Sequence, residues 1–273
     1  MVWHDLCRFC NENLTVLSSP IVYFTYGPGV EQWGLISKFC DGDRQSPIDL
    51  DSKLVQTVAE GKPLELTNVC ENPTKVRVHN NGHTVIFSLT YPASKGVILQ
   101  GGPLEGTFKF SSLHFHWGAE HTVDMERFPL EMHMVFYNQE YGSVHKAQFQ
   151  PNGLAVLGYF FVERSEAETR RWIDSLKSVK AAGSKYTFVH PNYMNLAKII
   201  GRKVKSYFYY PGSLTTPLCY ETVSWIIQKA PLTISPAQMK LFNSLKAKHG
   251  LMKNNYRPLQ DLNGRSILFY ENW

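Results

Sequence analysis

The five residues Leu113-His114-Phe115-His116-Trp117 constrain the fold more than any other stretch of the chain. Apolar side chains alternate with histidines, and a period of two belongs to an extended strand, whose successive side chains point to opposite faces. His114 and His116 then share one face, while Leu113, Phe115 and Trp117 share the other and suit a core. Short alternating segments of this kind recur along the chain, separated by Gly, Pro, Asn and Ser. Lys75–His79, Thr84–Tyr91, Thr107–Phe110, Leu113–Trp117, Leu130–Phe136, Leu154–Glu163, Lys205–Tyr209, Thr222–Ile227 and Ile267–Tyr270 all read as strands. Asn80-Asn81-Gly82, between the first two, marks a hairpin or tight turn.

Two helices have readable starts. Ser165-Glu166-Ala167-Glu168 forms a capping box, followed by Trp172, Leu176 and Val179 as a buried stripe. Ser235-Pro236-Ala237-Gln238 repeats the device with proline at the first helical position, and Met239, Phe242 and Leu245 supply the apolar side. Strands outnumber helices and the helices fall late, so the expected class is α+β, mostly β, in one domain. With 43% apolar and 19% charged residues in 273, the chain can pack a large core, and disorder of the bulk is excluded. A formal charge of +5 is modest and no motif accompanies it, so a nucleic-acid partner is not expected. No stretch qualifies as a membrane-spanning helix: Pro20, Gly27, Pro28 and Gly29 break the long uncharged segment after Asn13. Asp5, Arg8 and Glu12 interrupt any apolar run near the start, so no signal peptide is visible.

The chemistry begins with the shared face of His114 and His116. The same period places Glu131, His133 and Val135 on one face of Glu131-Met132-His133-Met134-Val135, with the two methionines behind. If these two strands are antiparallel neighbours, three imidazoles converge on one point. Three neutral nitrogens and one open position describe a four-coordinate catalytic zinc site. Glu131 then reads as an acceptor that orients His133 and raises its basicity, since a fourth protein ligand would close the open position. Cys7-Arg-Phe-Cys10 has metal-like spacing but no second pair to complete a structural site.

These residues sit within a longer series of blocks. Ala119-Glu120-His121-Thr122-Val123-Asp124, Phe128 and Glu131–Val135 resemble the signature of the α-class carbonic anhydrases. So do Arg44-Gln45-Ser46-Pro47-Ile48-Asp49, Asn80-Asn81-Gly82-His83, Gly101-Gly102-Pro103-Leu104, Tyr210-Pro211-Gly212-Ser213-Leu214-Thr215-Thr216-Pro217, Tyr256-Arg257-Pro258-Leu259-Gln260 and Asn263-Gly264-Arg265. The resemblance divides the chain into an N-terminal segment, 1–22, and a catalytic domain, 23–273. It implies a large twisted, predominantly antiparallel sheet with Zn2+ at the base of a cleft, and reversible hydration of carbon dioxide to bicarbonate and a proton. By resemblance, His114 and His116 bind zinc through Nε2 and His133 through Nδ1. Glu120 and Thr215 match the pair that orients the attacking hydroxide, and His83 matches the proton shuttle. Val135, Val156, Leu214, Val223 and Trp225 match the apolar wall that receives carbon dioxide, with Thr216 beside the substrate. His121, Tyr210 and Ser46 match buried supporting positions. Sulfonamides and small anions are the inhibitors the resemblance implies.

The chemistry is coherent without the name. Zinc held by neutral ligands brings the pKa of water from 15.7 to about 7, and carbon dioxide, having no net dipole, needs only an apolar slot. A threonine hydroxyl has a single proton, so donating it to Glu120 forces Thr215 to accept from its other neighbour. A histidine near pKa 6.5 relays protons in either direction.

Some positions depart from the family pattern. Ser112 stands where a longer acceptor for His114 is common. Gly264 replaces a common asparagine, although its carbonyl is the group expected to support His116. Phe24 and Ile86 replace polar or larger groups near His83, and Val144 widens the cleft mouth. Cys40 and Cys219 match the single disulfide of secreted and membrane-tethered members, which implies an oxidising, extracellular location against a cytoplasmic alternative. Asn13-Leu14-Thr15 is the usable glycosylation sequon, and the remaining cysteines, Cys7, Cys10 and Cys70, acquire no role. A catalytically silent binding module on the same fold is the competing reading. Silent relatives typically lack a zinc histidine, and all three stand here.

Overall fold

The computed structural model describes residues 24–167 and 170–271. Cys7, Cys10, the Asn13 sequon and Glu168 lie outside the described residues. Among those described, the architecture is dominated by a twelve-stranded sheet. Its path runs from the edge strand Lys185–Thr187 through Lys75–Asn80, Val85–Thr90, Thr107–His116, Leu130–Asn138, Leu154–Glu163, Val223–Ile234, Tyr207–Gly212 and Ile267–Tyr270 to Val55–Val58. Two of these neighbour pairs are parallel, Leu154–Glu163 with Val223–Ile234 and Ile267–Tyr270 with Val55–Val58; the rest are antiparallel. The β-rich α+β class is the one the alternation implies, and the predominantly antiparallel sheet is the one the resemblance implies.

Thr107–Phe110 and Leu113–Trp117, expected as separate strands, are one strand, Thr107–His116. Its pairing with Leu130–Asn138 shifts register between Phe110 and Ser112. Such a bulge inserts one residue and exchanges the faces on either side of it. Phe108 and Phe110 enter the core before it; Leu113 and Phe115 enter the same core after it. The parity change is what turns Ser112, His114 and His116 toward the cleft. The neighbouring strand supplies Met132 and Met134 to that core, and Trp172, Leu176 and Phe242 close it from outside. A second apolar cluster fills the other side of the sheet, around Val156, Phe160, Val223, Trp225 and Ile227.

The Asn81-Gly82 turn joins Lys75–Asn80 to Val85–Thr90. Asn81 Oδ1 accepts from the amides of His83, at 2.9 Å, and Thr84, at 2.8 Å. Gly82 has φ +89°, a conformation glycine adopts without a Cβ penalty. The later helix forms as expected over Pro236–Asn243, with Ser235 Oγ accepting from the Gln238 amide at 3.3 Å. The earlier one does not begin at Ser165, which lies in a turn. A 3₁₀ helix over Ile173–Ser178 stands there instead. Trp172, Leu176 and Val179 are nevertheless buried as one apolar stripe, so tertiary packing kept the pattern and tightened the backbone. No helix among the described residues is long and apolar enough to cross a membrane.

Candidate metal centre and cleft

The antiparallel register sets His114 directly opposite His133 and His116 opposite Glu131. His114, His116 and His133 each offer a ring nitrogen, and these atoms all lie within 4.8 Å of one another. His116 and His133 are buried; His114 is half-buried and faces the opening. Burial, followed by mutual repulsion, holds the His114 pKa well below its ordinary value, and burial brings that of His116 down to about 4. The His133 pKa is likewise lowered, again first by burial. All three imidazoles are therefore neutral at physiological pH, as metal ligands must be.

Each buried ring has one nitrogen engaged from behind. His116 Nδ1 lies 2.6 Å from the Asn255 carbonyl oxygen, to which it donates as the Nδ1–H tautomer. Its Nε2 is buried with no hydrogen-bond partner. A buried acceptor without a donor is costly, and a cation coordinated by it removes that cost. His133 Nε2 lies 2.7 Å from Glu131 Oε1, which leaves Nδ1 for the shared point. This donor set fits zinc. The carbonyl behind His116 is that of Asn255, not Gly264: Gly264 sits in an exposed turn at φ +75°. Nor does any hydrogen bond join Ser112 to His114 among the described residues; the serine is too short to reach back along its own strand.

Glu131 is fully buried and fully used. Its Oε2 accepts from the amides of Glu120, at 2.8 Å, and His121, at 2.9 Å, while its Oε1 lies 2.7 Å from both His133 Nε2 and His121 Nδ1. Burial alone would raise its pKa, but the neighbouring His121 and His133 and their hydrogen bonds hold it well below the ordinary carboxylate value. The chain of contacts continues from His121 Nε2 to the Tyr210 hydroxyl at 2.6 Å, and from there to Ser46 Oγ at 2.9 Å. His121, Glu131 and His133 could also be read as a metal group; these hydrogen bonds satisfy the same atoms without an ion. Gly158, opposite His133, admits this carboxylate: a Cβ there would lie 3.3 Å from Glu131 Oε1 and 2.5 Å from Ile227 Cδ1.

Glu120 is also fully buried, and its Oε1 accepts from the Arg257 amide at 2.9 Å. Burial pushes its pKa up to about 7, opposed first by His133 and then by the nearby Thr215 hydroxyl and the Arg257 amide; its Oε2 is buried without a hydrogen-bond partner. The Thr215 loop is closed by Leu214 N to Tyr220 O at 3.0 Å and Cys219 N to Thr216 O at 2.8 Å. The Cys40–Cys219 disulfide, with Cα atoms 4.9 Å apart, ties that loop to the segment Lys38–Asp41. Arg257 clamps the same junction by donating to Gln45 Oε1, Ser46 O and Cys40 O at 2.8, 3.0 and 2.8 Å.

Val135, Val156, Leu214, Val223 and Trp225 belong to the single apolar cluster beside the histidines. Val156 pairs with Val135 on one side and Trp225 on the other. The Trp225 ring lies 4.8 Å from that of His133, and its Nε1 donates to Ser213 O at 3.0 Å. Thr216 is half-buried at the edge. His83 is half-buried on the rim, stacked on Phe24 with ring centroids 4.0 Å apart and planes at 11°. Burial lowers its pKa from 6.5.

The sequence reading missed three participants. Asn255 holds His116 by its carbonyl and donates its side-chain amide to His83 O at 3.0 Å and Phe115 O at 3.1 Å. Its position just before Tyr256-Arg257-Pro258 was the available signal. Arg257 was quoted within that block but given no task. Tyr26 buries its hydroxyl close enough for Glu120 to raise its pKa, after burial itself; nothing in its local sequence marks it.

Comparison with known proteins agrees with this geometry. The family described as Eukaryotic-type carbonic anhydrase matches residues 28–271. Carbonic anhydrase 7 of Homo sapiens is 36% identical over 252 residues, covering 88% of this chain and 93% of that protein. Carbonic anhydrase 7 of Mus musculus matches to the same extent. Carbonic anhydrase 6 of Mus musculus is 35% identical over 254 residues, covering 88% of this chain and 78% of that protein.

Proposed function

The chain belongs to the eukaryotic-type carbonic anhydrase family and is a zinc-dependent enzyme that hydrates carbon dioxide, and from that premise we propose how its own residues divide the work. His114, His116 and His133 hold the ion, the last two fixed from behind by Asn255 and Glu131. Zinc, when bound, acidifies water enough to supply a nucleophile at neutral pH. The single observation that carries this reading is His116 Nε2, buried without a partner at the point where the other two rings meet.

Thr215 and Glu120 orient the reacting oxygen. Glu120 Oε1 accepts from the Arg257 amide, and its Oε2, buried without a partner near Thr215, is the acceptor for the threonine proton, so the threonine oxygen is left to accept from the nucleophile and aims a lone pair at carbon. A nearby cation favours the carboxylate over the acid and keeps Glu120 an acceptor despite its burial. Val135, Val156, Leu214, Val223 and Trp225 exclude water and take up the apolar substrate, with Thr216 at its edge. His83 exchanges protons between the cleft and the buffer. Its depressed pKa keeps it neutral, hence proton-accepting, at and above neutral pH.

Two further readings belong to the same proposal. Sulfonamide anions and small inorganic anions inhibit by taking the open ligand position. The Cys40–Cys219 disulfide favours residence in an oxidising compartment. Thiol titration of the unfolded chain without reductant checks the latter: three free thiols agree with it and five contradict it. Stopped-flow carbon dioxide hydration by purified protein of known zinc content, with and without a sulfonamide, tests the reaction. Fast, zinc-dependent, inhibitable turnover is the expected result; bound zinc without turnover would favour a silent binding module.

A further inference from the structure

Residues 170–205 carry nine Lys and Arg against a single acidic residue, Asp174. Their net charge of +8 exceeds the +5 of the whole chain and leaves −3 for the other 237 residues. Most of this segment packs as a layer over the sheet. Its apolar residues, among them Trp172, Leu176, Leu196, Ile199 and Val204, enter the core behind the metal strands. Trp172 stacks on Phe115 with ring centroids 5.4 Å apart, and Phe115 points away from the face that His114 and His116 share. The layer therefore lies across the core from the metal. Its charges stay outside: eight of the nine basic side chains, including Arg171, Lys198, Arg202 and Lys203, are exposed. The one carboxylate is already engaged, since Asp174 lies 2.7 Å from Lys177 Nζ.

The charge has a focus. A cavity of about 270 Å³ opens between Arg170 and Arg171 on one side and Asn192, Tyr193 and Lys198 on the other, backed by Trp172. None of the described residues lining it is acidic. The guanidinium groups are held in place: Arg171 Nη1 donates to the Tyr193 hydroxyl at 3.3 Å and its guanidinium lies over that ring, while Arg170 Nη1 donates to Thr233 O at 2.5 Å. Lys198 stands on the short helix Leu196–Ile200, whose first turn is capped by Asn195 Oδ1. Two positioned forks of N–H donors and an ammonium group match a tetrahedral oxyanion. The cavity is smaller than the roughly 300–1,000 Å³ of sites that enclose a whole ligand, so it suits one charged group of a larger molecule. Arg202 and Lys203, just past the helix, continue the positive surface beyond it. One face of Tyr193 is covered by Arg171, which disfavours it as a platform for a nucleic-acid base.

We propose that this surface binds a sulfated polysaccharide, with one sulfate group seated between Arg171 and Lys198 and others along the same chain meeting Arg202 and Lys203. A linear polyanion with discrete tetrahedral groups answers both the small cavity and the charge that extends past it. The choice of a sulfated chain rests on the oxidising-compartment reading of the Cys40–Cys219 disulfide; the anion site itself does not.

The probe is a size-defined heparin octasaccharide, titrated calorimetrically into zinc-loaded full-length protein at 0.15 M NaCl, so that the readout is independent of turnover. Binding is saturable and weakens as salt is raised, and the desulfated octasaccharide binds at least tenfold more weakly. Arg171→Ala and Lys198→Ala each lose about fivefold, the scale of one exposed charge pair, and the double variant loses about twentyfold. Lys53→Ala with Lys62→Ala removes the same net charge near the far end of the sheet path and leaves the affinity within twofold of wild type. The Arg171/Lys198 double variant hydrates carbon dioxide at the wild-type rate, because the cavity lies across the core from the histidines. Absence of saturable binding overturns the site, as does an equal loss in the two double variants, which would reduce the effect to net charge. Equal affinity for the desulfated chain, or tighter binding at the same ionic strength to oligothymidylate or to phosphatidylserine vesicles, overturns the sulfated polysaccharide as the partner.

Discussion

The metal pocket and the rim around His83 lie within a few residues of each other in the sheet, yet they are built on opposite terms. His116 and His133 are buried and each engaged through one ring nitrogen, by Asn255 at 2.6 Å and Glu131 at 2.7 Å. Behind them Leu113, Phe115, Met132 and Met134 fill the core. Phe115 is held by packing against Phe87 and Trp172 and by hydrogen bonds from Thr84 and Asn255 to its carbonyl. His83 is tied through its backbone, to Asn81 and Asn255, while its ring rests against Phe24 and Tyr26. A ligand that must not move is fixed from two directions; a group that must exchange protons with solvent is left half-buried. The difference teaches that position along the strand is less decisive than what stands behind each imidazole.

The sharpest way to break this comparison is to remove a fixed ligand. His116→Ala should lose zinc on dialysis and reduce hydration to the uncatalysed background, as a metal assay on the dialysed protein will check. Zinc retained at one per chain would contradict the assignment. Next in size is the core behind the pocket. Phe115→Ala should cost about 3–5 kcal/mol of folding stability, measured by denaturant unfolding of the metal-free protein. A loss below about 1 kcal/mol would show that the pocket is not supported from that face. Glu131→Gln is expected to weaken zinc binding by roughly 10–100-fold with the fold retained, read from competition with a chelating dye. On the rim the effects should be smaller. Phe24→Ala admits water to His83 and removes the burial that disfavours the imidazolium, so its pKa should rise toward 6.5. The variant then carries more protonated His83 near pH 6 and accepts protons less readily there; an NMR titration of the ring checks the direction.

Much of the pocket was legible in the sequence because a strand's period of two converts spacing into facing. His114, His116, Glu131 and His133 need only that rule and antiparallel pairing. The bulge at Phe110–Ser112 was not legible, since a one-residue insertion leaves no mark in an alternating pattern that resumes at once. Asn255 could not be assigned for a related reason: its carbonyl works from a distant irregular segment, and any residue type supplies a carbonyl. Gly264 was placed there by analogy and is corrected by the structure. The Ser165 helix failed because Trp172 and Leu176 bury equally well from a 3₁₀ turn. Stacking of Phe24 on His83 joins residues far apart in the chain, which no local pattern encodes.

The division of labour between pocket and rim is tested most directly by His83→Ala with two rates measured on the same preparation. Buffer-limited hydration should fall by about tenfold, less than the roughly 10²–10⁴-fold of a proton transfer made during the bond-making step because water and buffer still carry protons, and should be restored by a small imidazole buffer. Isotope exchange between carbon dioxide and bicarbonate, which needs only the metal pocket, should remain nearly intact. Equal losses in both rates would contradict the account and return His83 to being a turn residue that supports the pocket.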